Sequence, residues 1–342
     1  MREQGVIETR VDQGATRFSI GQRKTLRSLG FKQFSGIWLL ALVVLVFGIW
    51  TPETFLTVDN LHTLLAEQAI TVMVAVGLLI PLAAGTYDLS IGAVMGLAVV
   101  LVTNLQAIAH MSPLLSIVVT LAISAFIGAI NAFIVIVLRV DSFIATLGTS
   151  STLAGLIIAV ANNFQVVEGI SPSFEELGQN TLFGIAYPVY FVFVLGLIVW
   201  YLLERTPSGR FLYAFGSNPE ATRLAGIRTT RLVAGSLLAS ATIGGLAGIV
   251  LAARIGVGSL EAGPPYLLPA FAAAFLGSTQ IKPGRVNVWG TFVAVALLAT
   301  GVKGLQLVGL PLWVSSVFNG LALIAAVALS ATRERARRSA AQ

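Results

Sequence analysis

Long apolar runs, repeated along almost the whole chain, constrain this sequence more than any other feature. Ten can be read: 34–51, 64–84, 89–109, 113–138, 142–161, 185–203, 232–253, 264–279, 288–307 and 312–331. A helix rises about 1.5 Å per residue and the hydrocarbon core of a bilayer is about 30 Å thick, so about 20 apolar residues cross it. Most of the runs meet that length. The expectation is an all-α, polytopic transmembrane bundle of about 8–10 spans over 34–331, because lipid offers no partner to an unpaired backbone group. The eighth run is short and holds Pro264, Pro265 and Pro269, which points to a half-helix or re-entrant piece. Composition excludes a soluble globular protein: 56% of residues are hydrophobic and 11% charged, against about 25% charged in soluble domains.

The net charge of +6 acquires its meaning from where the 21 basic residues stand. Seven precede Gly36, four close the chain, five lie between Arg205 and Arg231, and Lys282 and Arg285 share another break. If the runs alternate sides from a cytoplasmic N-terminal tail, every Lys and Arg except Arg254 and Lys303 falls on the cytoplasmic side. That is the bias expected of loops that stay inside. The opposite side receives 162–184, with Glu168, Glu175 and Glu176 and no basic residue. All five tryptophans stand at run ends, where an amphipathic ring prefers the interface. The first run lacks a small-residue cleavage site, so a retained span after a basic cytoplasmic tail (1–33) is expected, with a second basic cytoplasmic tail at 332–342. A nucleic-acid partner is not expected; the basic excess faces lipid headgroups and cytoplasm.

Chemistry-bearing residues are few. The absence of cysteine removes thiolate metal sites and cysteine nucleophiles, and His62 and His110 flank different runs, so no metal site is expected. No phosphate loop, paired carboxylates or Ser/His/Asp set is visible, which argues against an enzyme. Ionisable residues within or beside the runs are Glu67, Asp88, Lys303 and Arg254. Glu67 reads as interfacial; Lys303 either lines a polar path or snorkels to the interface.

Two stretches are the most informative. Gly85, Tyr87, Asp88 and Ser90 follow Pro81 and interrupt some 45 otherwise apolar residues. Asp88 or Ser90 can cap the next helix, and such a break can also serve as a gate beside a transport path. The second stretch is the loop 204–231. Within it Asn218 as N-cap, Pro219 at the first helical position, Glu220 near the positive dipole end, then Ala221, Arg223 and a terminating Gly226 spell a two-turn helix. A helix that short is marginal alone, so it gains stability by docking, on its own bundle or on a cytoplasmic partner.

These residues carry a resemblance. Ala75-Val76-Gly77 leading to Asp88-Leu89-Ser90-x-Gly92, Gly128-x-x-Asn131 followed by Phe143-Ile144-Ala145-Thr146-Leu147, and Gly209-Arg210 leading to Gly216-x-Asn218-x-x-Ala221 and Gly226-Ile227 resemble the permease subunits of ATP-binding cassette importers of the ribose type. The likeness runs from about residue 36 to 331 and implies the importer-permease fold in a bacterial inner membrane. It also implies a second permease subunit, identical or related, and a periplasmic solute-binding protein. A cytoplasmic ATPase would bind ATP and magnesium and drive the helix at 219–225 as its coupling element; this chain would hold no cofactor. The solute class implied is a sugar or related polyol.

The sequence departs from the family in places. Thr86-Tyr87 stands where relatives usually have Gly-x before Asp-Leu-Ser, and Tyr266-Leu267-Leu268-Pro269-Ala270 is wholly apolar where many carry acidic residues. Both departures mark a divergent subgroup. Aromatic faces and neutral polar groups make Gln68, Asn104, Asn131, Phe143 and Thr146 the candidates for a sugar path. Two alternatives remain open on the residues alone. An ion-coupled secondary transporter would need a mid-membrane carboxylate, for which Asp88 or Glu67 would have to serve. An enzyme of lipid-linked substrates would need the clustered carboxylates or histidines that are missing.

Overall fold

The computed structural model describes residues 34–340, the side chains of 312 and 329–340 excepted; the expected tail at 1–33 lies outside the described residues. The fold is a helical bundle. Its first helices are α1 (Ser35–Trp50), the single turn α2 (Pro52–Phe55), α3 (Val58–Ala83), α4 (Ile91–Ala107), α5 (Pro113–Ile136) and α6 (Ser142–Ala161). A short α7 (Pro172–Gln179) and a two-stranded hairpin, β1 (Thr181–Leu182) with β2 (Ile185–Ala186), precede α8 (Tyr187–Arg205). Then come α9 (Pro207–Ser217), α10 (Pro219–Leu224), α11 (Thr229–Ile255), α12 (Pro264–Ser278), α13 (Val288–Leu307) and α14 (Leu312–Ala340).

Among the described residues six helices, α3, α5, α6, α8, α11 and α13, are long and apolar enough to cross a membrane. Helices α1 and α4 and the apolar part of α14 are somewhat shorter. The fifteen residues of α12, with Pro269 inside them, extend only about 22 Å at 1.5 Å per residue, less than the membrane core, as its prolines led one to expect. Helix α4 is short for another reason. Nearly every one of its side chains is buried against α11, α6, α5 and α12, so protein and not lipid sets its length.

Helices α11 and α3 form the centre. The most apolar window of α11 is 72% buried and that of α3 67%, against 22% for α6. Helix α11 packs on α5, α4, α3 and α7, and α3 packs on α12, α8 and α13. The small residues of α11 permit this: a Cβ on Gly248 would overlap the Met95 carbonyl and one on Gly245 the Ser124 hydroxyl. Close backbone approach is what holds helices together where hydrophobicity gives no preference for protein over lipid.

The connections sort onto two ends. At one, Glu204 binds Lys282 at 2.5 Å and Arg285 at 2.8 Å, and the Tyr213 hydroxyl donates to the Val286 carbonyl at 2.8 Å. This basic end also holds the 84–90 break and α9 and α10. At the other, acidic end Val166 pairs with Gly258, the Ser171 amide donates to Gln106, and Gly184 lies against His62. The same two sets of loops result from alternating the apolar runs.

Three differences from the sequence reading have local causes. Helix α3 begins six residues before the apolar run because the Thr57 hydroxyl caps it, accepting from the Asn60 amide at 3.2 Å. Segment 162–184 contains α7, which Ser171, Pro172 and Glu175 start and which buries Phe174 completely. The loop 204–231 holds two helices instead of one, since Thr206 and Pro207 start α9, the Thr206 hydroxyl accepting from Gly209 at 3.2 Å.

Candidate functional site

The break between α3 and α4 is a polar knot at the junction of five helices. Pro81 weakens the last turn of α3, whose carbonyl at that position accepts both the Thr86 amide at 3.0 Å and its hydroxyl at 3.1 Å, and Gly85 turns the chain at φ +70°. Only glycine adopts that φ without cost. The Tyr87 amide then donates to the Ser142 hydroxyl at 3.1 Å and the Leu89 amide to the Thr146 hydroxyl at 3.0 Å, so α6 satisfies backbone groups that lipid could not. Asp88 is fully buried, and its Oδ1 accepts from the Ser90 amide at 3.0 Å and the Ser90 hydroxyl at 2.6 Å. Asn131 on α5 donates to that hydroxyl at 2.8 Å and accepts from Thr149 on α6 at 2.6 Å. The Ser240 hydroxyl on α11 faces the Asp88 carboxylate and interacts with it.

Of the two capping candidates, Asp88 and Ser90, the structure uses Asp88. Ser90 occupies the N-cap position of α4 but makes no capping hydrogen bond there, because its hydroxyl is committed to Asp88. The carboxylate of Asp88, two residues back, takes the orphan amide instead.

At the basic end the short helix α10 has the predicted caps. Asn218 Oδ1 accepts from the Ala221 amide at 3.0 Å, Pro219 opens the helix, and Gly226 ends it at φ +78°. Glu220 and Arg223 pair at 3.5 Å with side chains 68% and 71% exposed, and Leu224 is 79% exposed. The preceding helix α9 anchors this segment on the bundle. A Cβ on Gly216 would overlap the Ala83 carbonyl, and one on Gly85 would stand 3.2 Å from the Gly216 Cα. Backbone therefore meets backbone between the segment leading into α10 and the 84–90 break. Below the contact a cavity of about 400 Å³ is lined by Gly85, Ser142, Phe215, Gly216 and Pro219. Arg285, in the neighbouring connection, lies 4.6 Å from the centre of the Tyr213 ring on α9. Burial pushes the Tyr213 phenol up to about 12; Arg285 lowers it and Glu204 raises it further.

A third feature lies toward the acidic end. A cavity of about 240 Å³ between α3, α12, α13 and α14 is lined by Glu67, Gln68, Thr71, Tyr266 and Asn319 on its polar side and by Val295, Leu298 and Ala299 on its apolar side. Lys303 stands 3.4 Å from both oxygens of Glu67, and Arg254 donates to the neighbouring Ala66 carbonyl. Glu67 and Lys303 therefore form a pair across α3 and α13, where the sequence suggested two separate interfacial or path-lining residues.

The path residues named from sequence separate into two places. Gln68 lines the 240 Å³ cavity. Asn131 and Thr146 are completely buried and use their hydrogen bonds on the break. Asn104 donates to the Val160 carbonyl at 2.9 Å, fastening α4 to the end of α6. These three are fixed in packing seams and line no described cavity. Phe143 is half exposed and meets Tyr87 edge to face, with ring centres 6.4 Å apart. Sequence reasoning missed Ser142, Thr149 and Ser240 around the break and Thr71 and Asn319 in the cavity, and it named Gly216 and Tyr266 without placing the first against the break or the second in the cavity. A tyrosine inside an apolar run is itself a signal, since its hydroxyl needs a partner or water.

A bundle of apolar helices with a buried polar break and, at the same end, short, capped, exposed helices defines a multi-pass membrane transport component. The family described as "Branched-chain amino acid transport system / permease component" matches residues 60–327. The ribose import permease protein RbsC of Escherichia coli (strain K12) is 30% identical over 308 residues, covering 87% of this chain and 96% of that protein. The D-allose transport system permease protein AlsC of the same organism is 30% identical over 305 residues, covering 88% and 92%. The fructose import permease protein FrcC of Rhizobium meliloti is 32% identical over 299 residues, covering 85% and 83%. No solved structure matches. The chain belongs to this permease family, and it is a multi-pass inner-membrane permease subunit of an ATP-binding cassette importer of the ribose type.

Proposed function

We propose that this permease forms the membrane path for a sugar or related polyol, handed over by a periplasmic binding protein. It works beside a second permease subunit, identical or related, and is driven by a cytoplasmic ATPase that binds ATP and magnesium. The chain itself holds no cofactor and performs no hydrolysis. Import of ribose, allose and fructose by its relatives supports the solute class. The basic end is the cytoplasmic one, with both termini there, because Lys and Arg cluster on it.

The observation that carries the coupling assignment is the backbone contact of Gly216 with the 84–90 break, immediately before the exposed helix α10. Helix α10, from Asn218 through Pro219, Glu220, Ala221 and Arg223 to Gly226, is the docking element for the ATPase. Exposed Leu224 and the Glu220–Arg223 pair form its free face. Gly85, Tyr87, Asp88 and Ser90 act as the gate it moves. ATP acts through its different affinity for the ATPase states that hold α10 in two positions. The ion-coupled alternative lacks a free carboxylate among its two candidates: Asp88 is sealed in the knot and Glu67 is paired with Lys303.

The test is charge reversal at α10. In a reconstituted importer, Glu220→Arg combined with Arg223→Glu abolishes transport and solute-stimulated ATP hydrolysis while the protein still inserts and stays folded. Unchanged transport would remove the coupling assignment.

A further inference from the structure

The cavity between α3, α12, α13 and α14 is built for a ligand. Its volume of about 240 Å³ lies just under the about 300–1,000 Å³ typical of pockets for drug-sized molecules, which suits a solute of one ring. One wall is apolar, from α13. The facing side carries Gln68 and Thr71, one helical turn apart on α3, with Tyr266 from α12 and Asn319 from α14. The side chains of Gln68, Thr71, Tyr266 and Asn319 make no hydrogen bond with another described residue. These groups open onto the cavity and are available to a ligand that enters it.

Amides and hydroxyls both donate and accept, so they match a ligand whose groups do the same. Charge points the same way. Glu67, at the edge of the cavity, is neutralised by Lys303 at 3.4 Å, and Arg254 is engaged with the Ala66 carbonyl. Arg254 is not among the residues that line the cavity, and apart from the paired Glu67 the polar groups that do line it, Gln68, Thr71, Tyr266 and Asn319, carry no charge. Pro265, Pro269 and the Tyr266 ring offer rigid apolar faces for the C–H side of a ring.

We infer that this cavity is a binding station for a neutral, polyhydroxylated solute the size of a single sugar ring. Gln68, Thr71 and Asn319 exchange hydrogen bonds with its hydroxyls, and Tyr266 covers one ring face. The inference rests on the sugar-import reading and deepens it by giving the solute an address inside one permease subunit.

The chain contains no cysteine, so single cysteines report the cavity directly. Gln68→Cys and Asn319→Cys are introduced separately into the complete importer in proteoliposomes, with Leu182→Cys, an exposed residue of the β1–β2 hairpin, as control. Labelling by a small hydrophilic maleimide is followed with D-ribose, D-allose, D-fructose or L-leucine present. With the transported sugar at ten times its dissociation constant, labelling at 68 and 319 slows about tenfold, as site occupancy requires; labelling at 182 does not change, and leucine protects nothing. Tyr266→Leu lowers uptake of that sugar about tenfold, the worth of about 1.4 kcal/mol of lost contact, with insertion unchanged. If a sugar is transported but neither cysteine is protected and Tyr266→Leu transports normally, the cavity assignment falls and the sugar-import reading stands. If the unsubstituted importer moves leucine and none of the sugars, both fall together.

Discussion

Asn131 ties the break between α3 and α4 to the rest of the bundle, and its removal has a calculable cost. Asn131→Ala deletes two hydrogen bonds, one to the Ser90 hydroxyl at 2.8 Å and one from Thr149 at 2.6 Å. Ser90 keeps the bond it donates to Asp88 and loses only one it accepts, and Thr149 is half-buried and can turn toward a backbone carbonyl. The bond losses therefore belong near the membrane-protein average of about 0.6 kcal/mol each, well below the maximum of about 1.7. The emptied space around a fully buried side chain adds a cavity cost on top. We expect a total of about 1–3 kcal/mol, in line with a buried polar network losing one member. The assay is unfolding of the purified permease in mild detergent by added sodium dodecyl sulfate, read by circular dichroism, with Thr149→Val and the double variant completing a cycle. A coupling of about 0.6 kcal/mol between 131 and 149 is expected. Strict additivity in the cycle would refute the knot as described.

Three further outcomes follow from the same geometry. Gly85→Ala forces a Cβ into a φ of +70° and to 3.2 Å from the Gly216 Cα; the conformational part costs about 1–2 kcal/mol, and transport should fall with little change in membrane insertion. Lys303→Met leaves Glu67 without its partner, and Glu67→Gln added to it should restore thermal stability, so that the double variant melts above Lys303→Met alone; an equal or lower midpoint would dissolve the pair. The Tyr213 phenol is raised to about 12 in the fold from about 10 in the unfolded chain. The native state therefore holds this proton more tightly, and its contribution, complete below pH 10, is lost as pH rises through 12. Tyr213→Phe should flatten the stability profile in that window, measurable by melting between pH 9 and 12.

How much of this was legible in the sequence differs by element. The caps of α10 were, because Asn218, Pro219 and Gly226 act within four residues of their own position. The break was too, since Pro81 and Gly85 act on their own backbone. The partners of the break were not. Ser142 and Asn131 lie 55 and 41 residues from the groups they bind, and Thr149 sits one link further on. In helices that are apolar on every side, periodicity does not say which face turns inward. The same obscurity hid the cavity: Gln68, Tyr266 and Asn319 stand on three helices, and Tyr266 read as part of an apolar run. Helices α7 and α9 are a different case. Their Ser-Pro and Thr-Pro starts were visible, but each is too short to register against the long runs beside it.

Under the proposed coupling, the contact between Gly216 and Gly85 is what would let the exposed helix and the buried knot work as one device. A side chain between them could change rotamer and absorb a small displacement; two backbones in direct contact cannot. A shift of α10 reaches the Ala83 carbonyl through two residues, Ser217 and Asn218, of which Asn218 is held by its own cap. On the far side of the turn the chain is pinned at every second residue, Tyr87 and Leu89 to α6 and Asp88 through Ser90 to α5. Motion entering at Gly85 must therefore either move α6 and α5 with the break or release these bonds together. Either response takes the bundle between discrete arrangements, as the proposed coupling to an ATPase requires.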